Sequence, residues 1–104
     1  MTVPTLYVTA PVDDAADLAR TVVEERLAAC VNRLGCESTY RWEGEVVEES
    51  EVVLLMKTSD ERVDALVDRV VDLHPYDVPC VERFDSTDTL DAFAGWVDES
   101  TTPG

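Results

Sequence analysis

Residues 38–58 read STYRWEGEVVEESEVVLLMKT. Ser38, Tyr40 and Trp42 alternate with Thr39 and Arg41, the period-two pattern of a strand with two different faces. Glu43-Gly44 is a turn signal. A third strand follows from Val46, and Val52-Val53-Leu54-Leu55-Met56 is an apolar run of the kind buried on both faces. The segment therefore predicts a long hairpin with an acidic tip from Glu43 to Glu51.

Upstream, the second strand is expected from about Cys30 to Trp42, interrupted near Gly35. Before it, Asp13 or Asp14 can cap a helix and complement its positive N-terminal end. Leu18, Val22 and Ala29, with Ala19, Val23, Arg26 and Cys30, form its mostly apolar stripe, fading near Ala29-Cys30. Residues 3–9 are rich in β-formers, with Pro4 near the start, where a strand tolerates it. Ala10-Pro11 ends that run.

Downstream, Thr58-Ser59-Asp60-Glu61 has the chemistry to open a second helix. Val63, Leu66, Val67, Val70 and Leu73 or His74 give its apolar stripe, and Asp64, Asp68 and Asp72 stack opposite. Pro75 stops it. Val78 to Phe84 reads as a fourth strand, with Pro79 marking either an edge strand or its first residues. Asp85-Ser86-Thr87-Asp88 caps a third helix with Leu90, Phe93, Ala94 and Val97 on its apolar face. Residues 98–104 read as a frayed tail.

The order strand, helix, strand, strand, helix, strand, helix is an α+β, ferredoxin-like split-βαβ pattern with an extra C-terminal helix. The 104 residues make one domain, 1–104. The hairpin is longer than this sheet needs, and a lone sheet leaves open edges. Strand pairing between subunits in a closed ring is the expected remedy.

Composition narrows the function. There are 23 acids against 8 bases, a net charge of −15, so nucleic acid and anionic membranes are excluded as partners. No apolar run approaches the ~18 residues of a membrane span, and no signal peptide is visible, so a cytoplasmic location is expected. Seven of the bases are Arg and only Lys57 is Lys. With a normal apolar share of 45%, this balance points to a high-salt cytoplasm, where screening over ~3 Å tolerates surface repulsion. Unfolding or dissociation on dialysis to low salt is expected. A melting temperature that does not move with salt would refute it.

Three cysteines without a secretion signal read as free thiols. Cys30, Cys36 and Cys80 lack C-x-x-C spacing, so no zinc-ribbon signature is present. With His74, the single histidine, they are the soft donors available to copper(I) or zinc. His74 reads either as a ligand or as a helix-end residue packed beside Pro75. Cys30 reads as core, whereas Cys80 can face core or cleft. Lys57 stands at a strand end, suited to an anion or to pairing with Glu51. Tyr40, Trp42 and Tyr76 can line a pocket or an interface. The five glutamates of the hairpin read mainly as a solvated face. No nucleophile–base set, P-loop or H-E-x-x-H is present, which disfavours an enzyme.

Several segments together carry a resemblance. They are Thr9-Ala10-Pro11, Ala28-Ala29-Cys30-Val31-Asn32, Ser38-x-Tyr40-x-Trp42-x-Gly44, Glu51 before Lys57-Thr58, His74-Pro75-Tyr76-x-x-Pro79 and Trp96-Val97. In this order and spacing, over roughly residues 5–97, the chain resembles the CutA family of divalent-cation tolerance proteins.

The resemblance implies a tight homotrimer of ferredoxin-like subunits and a non-enzymatic role in tolerance of, or response to, divalent metal, copper above all. No obligatory cofactor is implied. A metal ion at the intersubunit cleft would draw on His74, Cys80 and Cys30. Lys57, Glu51, Tyr40, Trp42 and Tyr76 are the expected cleft residues. The alternatives are a PII-like sensor of a small anionic ligand near Lys57, and a scaffold trimer. Copper-linked bacterial members carry a Cys in the first strand and two successive His at the helix end. Here Val8 and Leu73-His74 stand there, so only His74 remains of that constellation.

Overall fold

The computed structural model describes residues 2–103. The elements are β1 (Pro4–Pro11), α1 (Val12–Glu24), β2 (Cys30–Trp42), β3 (Glu45–Lys57), α2 (Val63–Leu73), β4 (Val81–Asp85) and α3 (Asp91–Ser100). The strands form one antiparallel sheet in the order β2-β3-β1-β4. That is the ferredoxin-like topology expected from the element order.

The hairpin turn explains the register. Glu43 and Gly44 both have positive φ, 49° and 82°, and Trp42 pairs directly with Glu45. This is a two-residue turn with both central residues left-handed, whose twist matches the flanking strands. β2 and β3 then pair without a break from Trp42–Glu45 to Cys30–Lys57. The expected interruption at Gly35 is absent, because Gly35 pairs with Val52 in the ladder. Strands of 13 residues extend roughly 40 Å at ~3.3 Å per residue, which accounts for the 45 Å long axis of the chain. β1 covers β3 only from Glu51 to Lys57. Glu45 to Ser50 therefore pair with β2 alone, as a two-stranded ribbon projecting from the sheet.

The core lies on one face of the sheet. Leu6, Val8, Leu54 and Met56 point into it and meet Leu18 and Val22 of α1 and Leu66 and Val70 of α2. The run Val52–Met56 is not buried on both faces, as its composition suggested. Leu54 and Met56 are fully buried, whereas Val53 and Leu55, on the opposite face, are only half-buried. Alternation wins because both α1 and α2 pack on one side.

α1 ends at Glu24, five residues before the expected fade. Arg26 adopts φ 59°, its N–H bonds Val23 O at 3.0 Å, and the Leu27 N–H bonds Val22 O at 3.0 Å. This is a Schellman closure with arginine in the place that glycine usually takes, which hid it in the sequence. α2 begins at Val63 rather than at Thr58. The expected capping residues serve tertiary contacts instead: the buried Thr58 hydroxyl donates to Leu27 O at 2.6 Å, and Ser59 Oγ accepts from Thr101 at 3.0 Å. β4 starts at Val81, three residues later than expected, because Pro75–Cys80 form a loop. Ser86, expected to help cap α3, accepts the Val3 N–H at 2.8 Å. α3 opens at Asp91 without a side-chain cap.

The expected fraying from Asp98 is corrected for the first residues. α3 continues to Ser100, and Thr101 is only 1% exposed. Its hydroxyl is anchored on Ser59, and Ala94 and Val97 pack with Val3 and Ala29. Gly104, the last residue of that expected tail, lies outside the described residues. No helix among the described residues is long and apolar enough to cross a membrane.

Candidate functional site

A cavity of about 740 Å³ opens where the ribbon leaves the sheet. One wall is strand, with Ser38, Tyr40 and Trp42 along β2. The other is the loop after α2, with Pro75, Tyr76, Asp77, Val78 and Pro79. Thr39, Thr9, Glu51 and Cys80 complete it. The register puts Cys36, Ser38 and Tyr40 opposite Glu51, Glu49 and Val47, so these side chains share one face of the ribbon.

His74 sets the loop wall. Its N–H closes α2 on Val70 O at 2.9 Å, and the following proline drives it into an extended conformation, with ψ 137°. His74 is 7% exposed. Nε2–H donates to the Thr9 carbonyl at 2.8 Å, and Nδ1 accepts the Tyr76 N–H at 3.1 Å. Both nitrogens are thus engaged, in the neutral tautomer with its proton on Nε2. The imidazole also packs on the Tyr76 ring, with centroids 4.9 Å apart. His74 is a positioning residue that pins the loop to β1 and aims Tyr76.

Tyr76 crosses the cavity to the strands. Its hydroxyl lies 2.9 Å from Glu49 Oε1 and 3.1 Å from Glu51 Oε2, and so offers one proton to two carboxylates. Tyr40 also donates to Glu49 Oε1. The hydrogen bond to Glu49 pushes the Tyr40 phenol up to about 12, with burial and the neighbouring carboxylates adding to it. Burial, then the bonds to Glu49 and Glu51, push Tyr76 up as well. Both phenols remain protonated donors at neutral pH. Glu51 is only 4% exposed, which is unusual for a carboxylate.

The expected metal ligands do not converge within the chain. Cys80 reaches the cavity, but burial pushes its thiol up, against the pull of Thr9, which disfavours the thiolate that metals bind. Cys30 pairs with Lys57 at the far end of the hairpin. Cys36 Sγ lies 3.7 Å from Ser38 Oγ. Among the described residues, no three His, Cys, Asp or Glu side chains gather to hold a metal ion. With both His74 nitrogens occupied as well, the donors of a single subunit do not fit a copper centre.

Lys57, expected in the cleft, does not line this cavity; its Nζ lies 2.6 Å from Asn32 Oδ1. It lies six positions along β3 from Glu51, about 20 Å. Tyr40, Trp42, Tyr76 and Glu51 are brought together as expected. Glu49 is the partner missed. The signal for it lay in the turn: a two-residue loop at Glu43-Gly44 puts Ser38 opposite Glu49, and Tyr40 diagonal to it.

Comparison with known proteins now adds the lineage. The model of the CutA1 divalent ion tolerance protein family matches residues 5–100. The chain belongs to this family. It is 43% identical over 98 residues to the divalent-cation tolerance protein CutA of Thermus thermophilus, covering 92% of this chain and 95% of that one. Among solved CutA structures, the PII-like protein CutA from Nostoc sp. PCC 7120, in apo form, superposes with a TM-score of 0.93 at 32% identity, covering 97% of this chain and 99% of that one. The periplasmic divalent cation tolerance protein CutA from Archaeoglobus fulgidus gives 0.91 at 32% identity, over 98% of this chain and all (100%) of that one. Some of the segments that carried the resemblance line the cavity described above, namely Thr9, Ser38 to Trp42, Glu51 and Pro75 to Pro79, whereas Ala28 to Asn32, Lys57-Thr58 and Trp96-Val97 lie outside it.

Proposed function

We propose that the chain acts in divalent-cation tolerance as a non-enzymatic, cytoplasmic homotrimer whose cavity lies in the cleft between subunits. Assembly is supported by the half of the sheet that α1 and α2 leave open. Leu34 and Phe84 are about half exposed there, at 50% and 53%. β2 and β4 are the free edges. Such surfaces are templates for another chain.

The observation that carries the cation reading is the charge of the cavity. Glu51 and Asp77 line it, Glu49 is bonded at its margin, and no Lys or Arg is among its lining residues. In this reading a divalent ion, copper or another, is held by Glu49 and Glu51, with further donors from a neighbouring subunit or from water. Cys80 is the soft donor at hand. An anionic ligand finds no support here, since Lys57 is engaged with Asn32 away from the cavity.

The test is equilibrium dialysis of the reduced protein against copper and zinc in high salt, with Glu51→Gln and Cys80→Ser alongside. Saturable binding near one ion per subunit, lost in Glu51→Gln, is the expected result. Uptake that never saturates and ignores the substitution would overturn the metal site. Sedimentation equilibrium should give three subunits, and a monomer mass would overturn the assembly.

A further inference from the structure

We propose that this cavity binds an organic ammonium ion, whose N–H groups meet Glu49 and Glu51 while its carbon body lies against Tyr40, Trp42 and Tyr76. The proposal rests on the reading of the cavity as a cation site and goes beyond it in the class of cation.

The first argument is a count of hydrogen-bonding capacity. Each carboxylate has room for about four hydrogen bonds and supplies none. Glu49 and Glu51 together receive the protons of two phenols, Tyr40 and Tyr76, and Tyr76 is shared between them. Glu51, 4% exposed, accepts a hydrogen bond from Tyr76 and lines the open volume. A carboxylate so withdrawn from bulk water gains from a ligand that carries N–H donors and a positive charge.

The second argument is the remaining surface. Three aromatic rings and the prolines Pro75 and Pro79 border the cavity. A bare metal ion gains little from such walls. An alkylammonium ion buries its methylenes against them and places its charge near ring faces, which attract cations. Trp42, the best such face, is 45% exposed in the single chain and borders the open volume. The volume of about 740 Å³ lies within the range of small-molecule sites.

The double engagement of His74 points the same way. The imidazole is taken up by the backbone, while Glu51 and the aromatic rings line the open volume.

The test uses isothermal titration of the full chain, in its assembled state, with n-butylammonium chloride. Tetramethylammonium, which lacks N–H donors, and butyrate, which is an anion, are the comparison probes. One saturable site per subunit is expected for butylammonium, with at least tenfold weaker binding of tetramethylammonium and none of butyrate. Trp42→Ala should weaken butylammonium at least tenfold, and Trp42→Phe, which keeps an aromatic face, by less than about threefold.

Trp42 is 45% exposed in the single chain, outside its core, and a melting curve with sedimentation checks that both variants fold and assemble. Zinc or copper binding should be unchanged in Trp42→Ala. That arm separates this proposal from the metal reading, which fails independently if the wild-type protein takes up no metal saturably. Butylammonium uptake without saturation, or saturable uptake indifferent to Trp42→Ala, would overturn the ammonium site. Equal binding of tetramethylammonium would overturn the role given to the carboxylates.

Discussion

Leu54→Ala is expected to lower the unfolding free energy by about 3–5 kcal/mol, the upper part of the range for a buried leucine. Leu54 sits near the middle of β3, an interior strand flanked by β1 and β2, and is fully buried. Its ladder partners are Val8 and Arg33, and it belongs to the one cluster that unites sheet, α1 and α2. With cover on every side the site cannot collapse, so the cavity term adds to the lost transfer energy. Leu55→Ala provides the contrast. Leu55 points to the open face and is half-buried in the subunit, so its truncation should act on assembly. Urea melts at several fixed protein concentrations separate the two, because only the second effect depends on concentration. A loss below about 1 kcal/mol for Leu54→Ala would mean that this face is not the core.

The second large effect is expected at His74. His74→Ala removes a buried ring and leaves the Thr9 carbonyl and the Tyr76 N–H without their partners. Each such loss is worth about 1–3 kcal/mol, so the sum is roughly 2–4 kcal/mol once the loop relaxes. The cost should be the same in the presence of a chelator, because the ring's two bonds are to the backbone. Ligand uptake should fall at least tenfold, since Tyr76 loses its aim at Glu49 and Glu51. A variant as stable as the wild type in chelator, and impaired only with metal present, would return His74 to the role of ligand.

Most of the framework was legible because pattern and punctuation agree. Ser38 to Trp42 alternate, Glu43-Gly44 turns, and Pro75 stops α2. Three features were hidden for physical reasons. Arg26 closes α1 in a conformation usually given to glycine, so no residue type announced it. Thr58 and Ser59 look like caps, but long-range partners, Leu27 and Thr101, claim their hydroxyls. The loop from Pro75 to Cys80 lacks periodicity; Pro75 reads as a helix stop, and Pro79 reads as part of the strand.

The site divides in the same way. Tyr40, Trp42, Tyr76 and Glu51 were legible as a group, since alternation and the turn bring them to one region. Lys57 was misplaced by treating nearness in sequence as nearness in space, which an extended strand denies. His74 was read with a ligand in mind, whereas burial and two backbone bonds make it a strut. No single side chain could show that, because Thr9 is 65 residues away.

The ribbon has a thermodynamic consequence of its own. Tyr40, Trp42 and Glu49 stand on a segment held by two strands only, and an isolated two-stranded hairpin is marginal in water. Half of the cavity is therefore only as ordered as whatever braces that ribbon. Linkage makes the relation mutual: bracing the ribbon raises affinity for an occupant, and an occupant that ties Tyr40 and Trp42 to Tyr76 steadies the ribbon in return. Amide protons from Glu45 to Ser50 should thus exchange more slowly when the cavity is filled, which would make the hairpin tip a gauge of occupancy.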